Sequence, residues 1–313
     1  MTKVLTSYGR PLTKLRVSIL DACNFSCIYC MPEHRAFDKS DNYLSPEEIG
    51  AIVGNLIPFG VEEVRLTGGE PTLRHDLISI VEKLSTLSLR KISMTTNAFQ
   101  LWNFLPALAQ GPCRSLNISL DSIEQTNFKK ITNYDGLHRV LDTIERARSL
   151  DFKVKINMVV MKDLNHHEIN NFVRFAEREK IEVRFLEVMN IGVVRARFQK
   201  WYYSGHEILR QIENEFALSV VPSSADSTAQ NFVTANGARI GLIASESMPF
   251  CGNCSRLRLS SRGILRACLM KEGGRDLRGV PFEEYGPLLH EVAALKPVAR
   301  IKDIHEPMFQ IGG

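Results

Sequence analysis

The chain has 313 residues, 44% of them hydrophobic, and its 39 basic and 35 acidic residues leave a net charge of +4. This size allows one large domain, or one large and one smaller domain, each with a core. The charge suits a small anionic ligand and is too weak to indicate nucleic-acid binding. No apolar run predicts a membrane span, and no secretion signal or disulfide scaffold is evident, so we expect a cytoplasmic protein.

The predicted elements alternate between strands and helices over the first 190 residues. Periodicity and β-branching predict strands at 15–20, 61–66, 91–95, 116–120, 154–159 and 181–186. Helices are predicted at 45–56, 76–87, 101–108, 137–150 and 166–179, the first with a capping box formed by Ser45 and Glu48. The alternation indicates right-handed βαβ units and a parallel sheet. Six strands do not complete an eightfold barrel, so we expect an α/β fold with an open, TIM-like (βα)6 partial barrel.

The alternation ends near residue 190. A polar loop at 222–227 and short strand-like runs at 231–233 and 240–243 follow it. We therefore expect residues 1–190 to form the barrel and residues 191–313 to form a small C-terminal α+β domain over the open side of the sheet.

Polar groups recur where the predicted strands end. In parallel sheets, ligands gather at the C-terminal ends of the strands. The strand ends carry Cys23, Gly68-Gly69-Glu70-Pro71, Thr95-Thr96-Asn97, Ser119-Leu120-Asp121, Lys155-Ile156-Asn157 and Glu187-Val188-Met189-Asn190. These segments are therefore the candidate ligand-binding residues.

The first cysteine triad, Cys23, Cys27 and Cys30, follows the first strand in the pattern Cys-x3-Cys-x2-Cys. Thiolates are the ligands of iron–sulfur clusters, and ferredoxin patterns supply four of them. Three would leave one iron of a four-iron cluster open to a small molecule. The alternatives are a zinc site or three unrelated thiols, but structural zinc takes four ligands and no nearby Cys or His completes this set.

The second cysteine triad, Cys251, Cys254 and Cys268, again offers three ligands without an obvious fourth. A structural zinc site with a distant fourth ligand is the main alternative to a second cluster. Arg256 and Arg258 fall on one face of a strand between these cysteines. They could clamp phosphates bidentately, or they could be two solvated charges.

The first triad resembles the signature of the radical S-adenosylmethionine (SAM) superfamily. Together with Arg16, the second triad, its Arg-x-Arg sequence, the strand-end motifs and the terminal Gly312-Gly313, it resembles the GTP 3′,8-cyclase family of molybdenum cofactor biosynthesis. The likeness runs from about Gly9 to Gly313 and implies a lyase that converts GTP to (8S)-3′,8-cyclo-7,8-dihydroguanosine 5′-triphosphate. It implies that a 5′-deoxyadenosyl radical removes hydrogen from C3′ of the ribose, after which C3′ attacks C8 of the guanine.

The resemblance also assigns roles to residues. It implies that the first triad holds the SAM-cleaving [4Fe–4S] cluster and that the second triad holds another, whose open iron meets the guanine. It implies SAM contacts from Tyr29, Gly68, Gly69, Glu70, Ser119 and Met189. It implies GTP contacts, chiefly to the triphosphate, from Arg16, Arg65, Thr95, Lys155, Arg256 and Arg258. Arg65 and Lys155 alone could equally be surface charges.

The catalytic candidates are Arg256, Arg258, Gly312 and Gly313. Chain ends usually fray, whereas the resemblance implies that the two terminal glycines enter the active site. It further implies a flavodoxin- or ferredoxin-type electron donor and a downstream cyclic pyranopterin monophosphate synthase, and it leaves open a homodimer. Two alternatives stand beside this interpretation: a radical SAM enzyme that modifies a peptide or another small molecule, and an iron–sulfur electron carrier. A carrier would need neither the glycine motif nor the second basic site.

Overall fold

A computed structural model of the chain describes residues 3–32, 37, 42–302 and 304. Its strands are β1 (Lys14–Ser18), β2 (Glu63–Thr67), β3 (Lys91–Thr96), β4 (Ser115–Ser119), β5 (Lys153–Val160), β6 (Glu182–Glu187), β7 (Leu218–Val221), β8 (Gln230–Thr234), β9 (Arg239–Ile243), β10 (Arg256–Leu259), β11 (Ile264–Arg266) and β12 (Arg275–Asp276). Its α-helices are α1 (Pro46–Leu56), α2 (Leu77–Ser85), α3 (Leu105–Leu108), α4 (Gln125–Thr132), α5 (Leu137–Ser149), α6 (Ile169–Glu179), α7 (Phe198–Trp201), α8 (Gly205–Glu213) and α9 (Tyr285–Ala294).

The strands form one sheet in the order β12-β11-β10-β1-β2-β3-β4-β5-β6-β9-β8-β7. The six central strands, β1 to β6, are parallel, as predicted. Two C-terminal strands continue this parallel run, β10 beside β1 and β9 beside β6. Among the described strands β9 and β10 do not pair with each other, so the barrel stays open. The predicted partial barrel is confirmed, while the division at residue 190 stays a prediction.

Alternation along the inner strands separates core from cavity. On β1, Leu15 and Val17 are 1% and 0% exposed and belong to the main hydrophobic core. Arg16, between them, faces the inside of the curved sheet and lines a cavity there. Successive side chains of a strand point to opposite faces, so one short strand supplies both a core and a lining.

The start of α1 follows the predicted capping box. The Ser45 hydroxyl accepts from the Glu48 backbone N–H, and the Glu48 carboxylate accepts from the Ser45 N–H at 2.7 Å. The predicted helix at 101–108 is instead a 3-10 turn followed by the four-residue α3. Pro106 lacks the N–H that a continuous helix would need there.

Several elements were not predicted. They are α4, α7, α8, α9, β7, β11 and β12. Helix α4 is too short to show periodicity, with only Phe128, Ile131 and Thr132 buried. Helix α8 does carry a sequence signal, since Ser204 and Glu207 form a second capping box.

Candidate active site

One cavity of about 320 Å³ lies at the C-terminal ends of the parallel strands. It is lined by both cysteine triads and, within the described part of the chain, by every other residue to which the family resemblance assigns a role except Lys155. Gly312 and Gly313 lie outside the described residues. The fold therefore brings together residues that are more than 240 positions apart in the sequence.

The Gly68-Gly69 turn holds the start of the first cysteine loop. The N–H of Gly69 donates to the Leu20 carbonyl at 3.0 Å, and that of Glu70 donates to the Ala22 carbonyl at 2.8 Å. A Cβ on Gly69 would lie 2.0 Å from the Ala22 oxygen, and Gly68 has φ +146°. Only glycine fits such a close approach, which fixes the backbone just before Cys23.

The Glu70 carboxylate is buried, 1% exposed, and is held from several sides. It accepts hydrogen bonds from the Thr72 and Thr96 hydroxyls at 2.6 Å and from the Asn97 N–H at 2.6 Å. Burial raises its pKa despite these bonds. Glu70 thus ties the glycine turn to the end of β3, a positioning task that comes in addition to the predicted contact with SAM.

The surroundings of the first triad are acidic and buried. The Tyr29 hydroxyl donates to Asp121 Oδ2 at 2.8 Å, and the Val159 N–H donates to Oδ1 at 2.8 Å. Burial raises the pKa of Asp121 to about 6. Burial also raises the pKa of the Cys27 thiol well above its ordinary value, and the Asp121 charge raises it further. These surroundings suit a cationic ligand.

The second triad has basic surroundings. Cys251 opens a 3-10 turn in which the Cys254 N–H donates to the Cys251 carbonyl at 3.2 Å, and Cys268 follows β11. Burial by itself would raise the pKa of Cys254, but Arg256 and Lys296 bring it down to about 7. A thiol with this pKa is close to being a thiolate, the form that binds metals.

The spread of the thiols bears on what the triads could hold. No disulfide joins any of these six cysteines, all of which are half-buried. Neither triad brings its three sulfurs within 4.8 Å of one another. A tetrahedral zinc ion with Zn–S bonds of about 2.3 Å would hold them about 3.8 Å apart. The thiols of each triad are therefore not arranged for a single zinc ion. Thiolates are also the ligands of iron–sulfur clusters, and three of them would leave one iron of a four-iron cluster without a protein ligand.

Three arginines lie side by side across neighbouring strands. Arg16 on β1 is in register with Arg258 on β10 and with Arg65 on β2. Burial lowers the pKa of Arg16 well below its ordinary value, and the charges of Arg258 and Arg65 lower it further. The pKa values of Arg65 and Arg258 fall to about 10, chiefly through burial. Guanidinium groups remain charged at neutral pH, so this row is a site for an anion with several charges.

Similarity to known proteins identifies the family. A model of the Radical SAM superfamily matches residues 17–176, and one described as Molybdenum Cofactor Synthesis C matches residues 181–286. The GTP 3′,8-cyclase of Synechocystis sp. is 43% identical over 100% of this chain and 96% of that protein. Those of Aquifex aeolicus and Clostridium botulinum are 36% and 34% identical, over 90% and 99% of this chain and 89% and 100% of theirs. The chain belongs to the GTP 3′,8-cyclase family of the radical SAM superfamily.

Solved structures support the fold. Streptococcus suis SuiB bound to S-adenosylmethionine superposes with a TM-score of 0.66 at 14% identity, over 91% of this chain and 68% of SuiB. Superfamily membership implies a [4Fe–4S] cluster and SAM as cofactors. Within the described ranges, no helix combines the length and the apolar character needed to cross a membrane.

Two positions in this member of the GTP 3′,8-cyclase family differ from what its sequence suggested. Arg184 on β6 lines the cavity but was not predicted, although alternation in the strand at 181–186 could have pointed to it. Lys155 does not line the cavity. Its ammonium donates to Glu182 Oε2 at 2.5 Å, while Arg184 Nε donates to Glu182 Oε1 at 2.6 Å. Glu182 thus holds both cations.

Proposed function

We propose that this chain is a radical SAM GTP 3′,8-cyclase, which converts GTP to (8S)-3′,8-cyclo-7,8-dihydroguanosine 5′-triphosphate in molybdenum cofactor biosynthesis. The observation that carries the proposal is that two three-cysteine sets and five arginines line one cavity. A single radical SAM cluster would need only the first set, and a simple electron carrier would need no anion site. The family relationship makes GTP the first substrate to test.

The first triad would hold the [4Fe–4S] cluster, with Tyr29, Gly68, Gly69, Ser119 and Met189 around SAM. When bound, the cluster supplies the electron that cleaves SAM to a 5′-deoxyadenosyl radical. The residues of the chain orient SAM: the glycine turn offers backbone without side-chain bulk, and Asp121 and Glu70 place negative charge near a cationic ligand. The protein thus contributes orientation and electrostatics, while the radical comes from the cofactor.

The arginine row would hold the triphosphate. Arg16, Arg65, Arg256 and Arg258, joined by Thr95, line the cavity as the substrate-binding set. Arg256 Nη2 is buried and has no hydrogen-bond partner among the described residues, as expected of a donor that awaits a ligand. We add Arg184 to this set. Lys155 would join it only by exchanging Glu182 for a phosphate, because its ammonium is already paired.

The second triad would hold a second [4Fe–4S] cluster, whose open iron would meet the guanine base. The three thiols are spread more widely than a zinc ion requires, and basic residues surround them. Arg256 and Arg258, between the ligands in sequence, would connect this cluster to the bound phosphates.

The C-terminal tail would deliver Gly312 and Gly313 to the same cavity. Ile304 forms a parallel bridge with Ile191, and its carbonyl accepts from the Gly192 N–H at 3.1 Å. It packs with Met270 in a small cluster that also touches Met189, Cys268 and Leu269, all three of which line the cavity. The nine residues from 305 to 313 can extend up to about 30 Å, enough to reach the site.

We further propose that the enzyme works in the cytoplasm, as a monomer or a homodimer. It would take electrons from a flavodoxin- or ferredoxin-type protein and pass its product to a cyclic pyranopterin monophosphate synthase. Light scattering at catalytic concentrations distinguishes the two oligomeric states.

The deciding experiment is an anaerobic incubation of reconstituted protein with SAM, dithionite and GTP deuterated at C3′. We expect 5′-deoxyadenosine that carries deuterium, together with a cyclised nucleotide, both measured by liquid chromatography and mass spectrometry. Unlabelled 5′-deoxyadenosine without nucleotide product would keep the radical SAM assignment and reject GTP. No 5′-deoxyadenosine would leave the electron carrier as the better interpretation.

A further inference from the structure

Lys296, in the loop after α9, is buried beside the second triad and has no role in the function proposed above. It is 3% exposed. Its ammonium donates to the Ala267 carbonyl at 2.7 Å and to the Arg256 carbonyl. Its positive charge also lies close enough to the thiol of Cys254 to lower the pKa of that thiol. A lysine ammonium has three N–H donors, and two of them are used on backbone carbonyls within this site.

The hydrogen-bond partners of Lys296 lie in the two backbone segments that carry Cys254 and Cys268. Ala267 directly precedes Cys268, and Arg256 is two residues after Cys254. One ammonium therefore joins the strand that leaves Cys254 to the strand that enters Cys268. A buried ammonium is costly unless nearby groups compensate its charge, and thiolates on Cys254 and Cys268 would do so.

A second buried cation, Arg10, holds the remaining cysteine to the same loop. Its guanidinium donates to the Cys251 carbonyl at 2.5 Å, to the Pro297 carbonyl at 3.1 Å and to the Lys296 carbonyl at 3.3 Å. Arg10 thus fixes the backbone that carries Lys296. The loop at 296–297 is tied to all three cysteine segments through these two side chains.

We propose that Lys296 is a positioning residue of the second triad: it joins the backbone after Cys254 to the backbone before Cys268 and fixes a positive charge beside the triad, which raises the reduction potential of the bound cluster. The inference rests on the proposed second cluster. Reduction adds negative charge to the cluster and its thiolates, and a cation fixed beside them stabilises that charge strongly in a buried site. Net charge and burial are known to set the potentials of such clusters.

The test uses the full-length chain with Cys23, Cys27 and Cys30 replaced by Ala, so that only the second cluster remains. Lys296→Met removes the charge and all three donors at similar length. Lys271→Met is the matched control, because Lys271 is exposed and lies three residues beyond Cys268. Redox titration followed by electron paramagnetic resonance gives the midpoint potential. We expect the reduction equilibrium constant to fall about tenfold or more in Lys296→Met, about 59 mV for one electron, and hardly at all in the control.

Equal potentials in Lys296→Met and Lys271→Met, with about four irons in each, would overturn the inference and leave the second cluster standing. If the triple-cysteine variant itself binds no iron, the second cluster fails and the inference falls with it.

A Lys296→Met protein that cannot hold the cluster calls for a measurement without substitution at Lys296. The triple-cysteine variant is grown with ¹⁵N-lysine, and the reduced cluster is examined by pulsed electron paramagnetic resonance. A ¹⁵N coupling to the cluster spin is expected from an ammonium fixed beside the cluster. Its absence would overturn the proposal whatever the substituted protein does.

Discussion

The two cysteine triads share one ligand type and number, yet their surroundings differ in charge. Around the first, buried Asp121 raises the pKa of Cys27 beyond the effect of burial. Around the second, Arg256 and Lys296 bring the pKa of Cys254 down to about 7 although burial opposes this. The thiol that ionises more readily is thus the one beside cations, as electrostatics requires.

This difference in charge suggests how one cavity could bind SAM and GTP at separate places. SAM carries a sulfonium and an ammonium, and GTP carries a triphosphate. Carboxylates near the first triad favour the cationic groups of SAM. The Arg258–Arg16–Arg65 row near the second triad favours the triphosphate of GTP. The supports differ as well: a glycine turn packed on backbone holds the first loop, and buried cations hold the second.

The largest effects are expected from removing each cysteine triad in turn. In a Cys23→Ala/Cys27→Ala variant we expect no 5′-deoxyadenosine at all, because SAM has lost its cluster. In a Cys251→Ala/Cys254→Ala variant we expect about four irons per chain and continued SAM cleavage without cyclised nucleotide. Iron analysis and chromatography of both products measure this.

The matched control is Cys113→Ala, since Cys113 is buried in the core and 0% exposed. It should keep both clusters and both products. Full cyclisation by the Cys251→Ala/Cys254→Ala protein would contradict a functional second site.

Deleting Gly312 and Gly313 should have the next largest effect. If the tail completes the site near the second triad, folding, iron content and uncoupled SAM cleavage persist while cyclisation largely stops. Product formation is compared with 5′-deoxyadenosine release in the same reaction. A Gly312→Ala/Gly313→Ala protein of full length tests whether the slender backbone or only the chain length matters. Truncated protein that cyclises GTP at the full-length rate would reduce the tail to an ordinary chain end.

Replacing Arg256 or Arg258 with Ala should weaken GTP binding by about 1.5–3 kcal/mol, the range for hydrogen bonds to charged groups. This corresponds to roughly 10- to 150-fold in the dissociation constant. Arg262→Ala is the control, because Arg262 is exposed in the turn after β10. Equilibrium binding at fixed ionic strength measures the change, and SAM cleavage without GTP should persist. Unchanged affinity in both variants would remove the phosphate assignment.

Much of the architecture could be predicted because its determinants are local. β-branched runs marked β1 to β6, and the Ser45–Glu48 capping box marked α1. Apolar residues of the predicted strands, such as Val17, Leu66 and Leu120, are 0% exposed. Helix α4 and strands β11 and β12 were not predicted. Such short segments show little periodicity of their own, and their structure depends on contacts with other elements.

The site was only partly predictable for a different reason. Cysteine spacing revealed the ligands, but spacing alone does not tell whether an inward charge meets the cavity or another side chain. Lys155 and Arg184 show this. Both belong to inner strands, and both form an ion pair with Glu182, a contact that the sequence pattern does not reveal. Lys296 shows it too, because its partners are backbone carbonyls that no sequence motif marks.

The smallest predicted effect concerns Asp121, whose burial raises its pKa to about 6 from an ordinary value of about 3.9. A carboxyl group with a raised folded-state pKa stabilises the fold most below the unfolded pKa. That contribution is lost as pH rises through the folded pKa. From this group the cofactor-free protein should lose about 1–1.5 kcal/mol of unfolding free energy between pH 5 and pH 7.

Asp121→Asn should remove this loss, because an amide does not ionise and can still accept from the Val159 N–H. The measurement is urea unfolding of cofactor-free protein at both pH values, with Asp142→Asn, an exposed position on α5, as the control. If the unfolding free energies of Asp121→Asn and of the wild type change equally between the two pH values, the pKa of Asp121 is not raised in the folded protein. The acidic character of the first triad's surroundings would then have to come from another group, and Glu70, equally buried, would be the one to replace next.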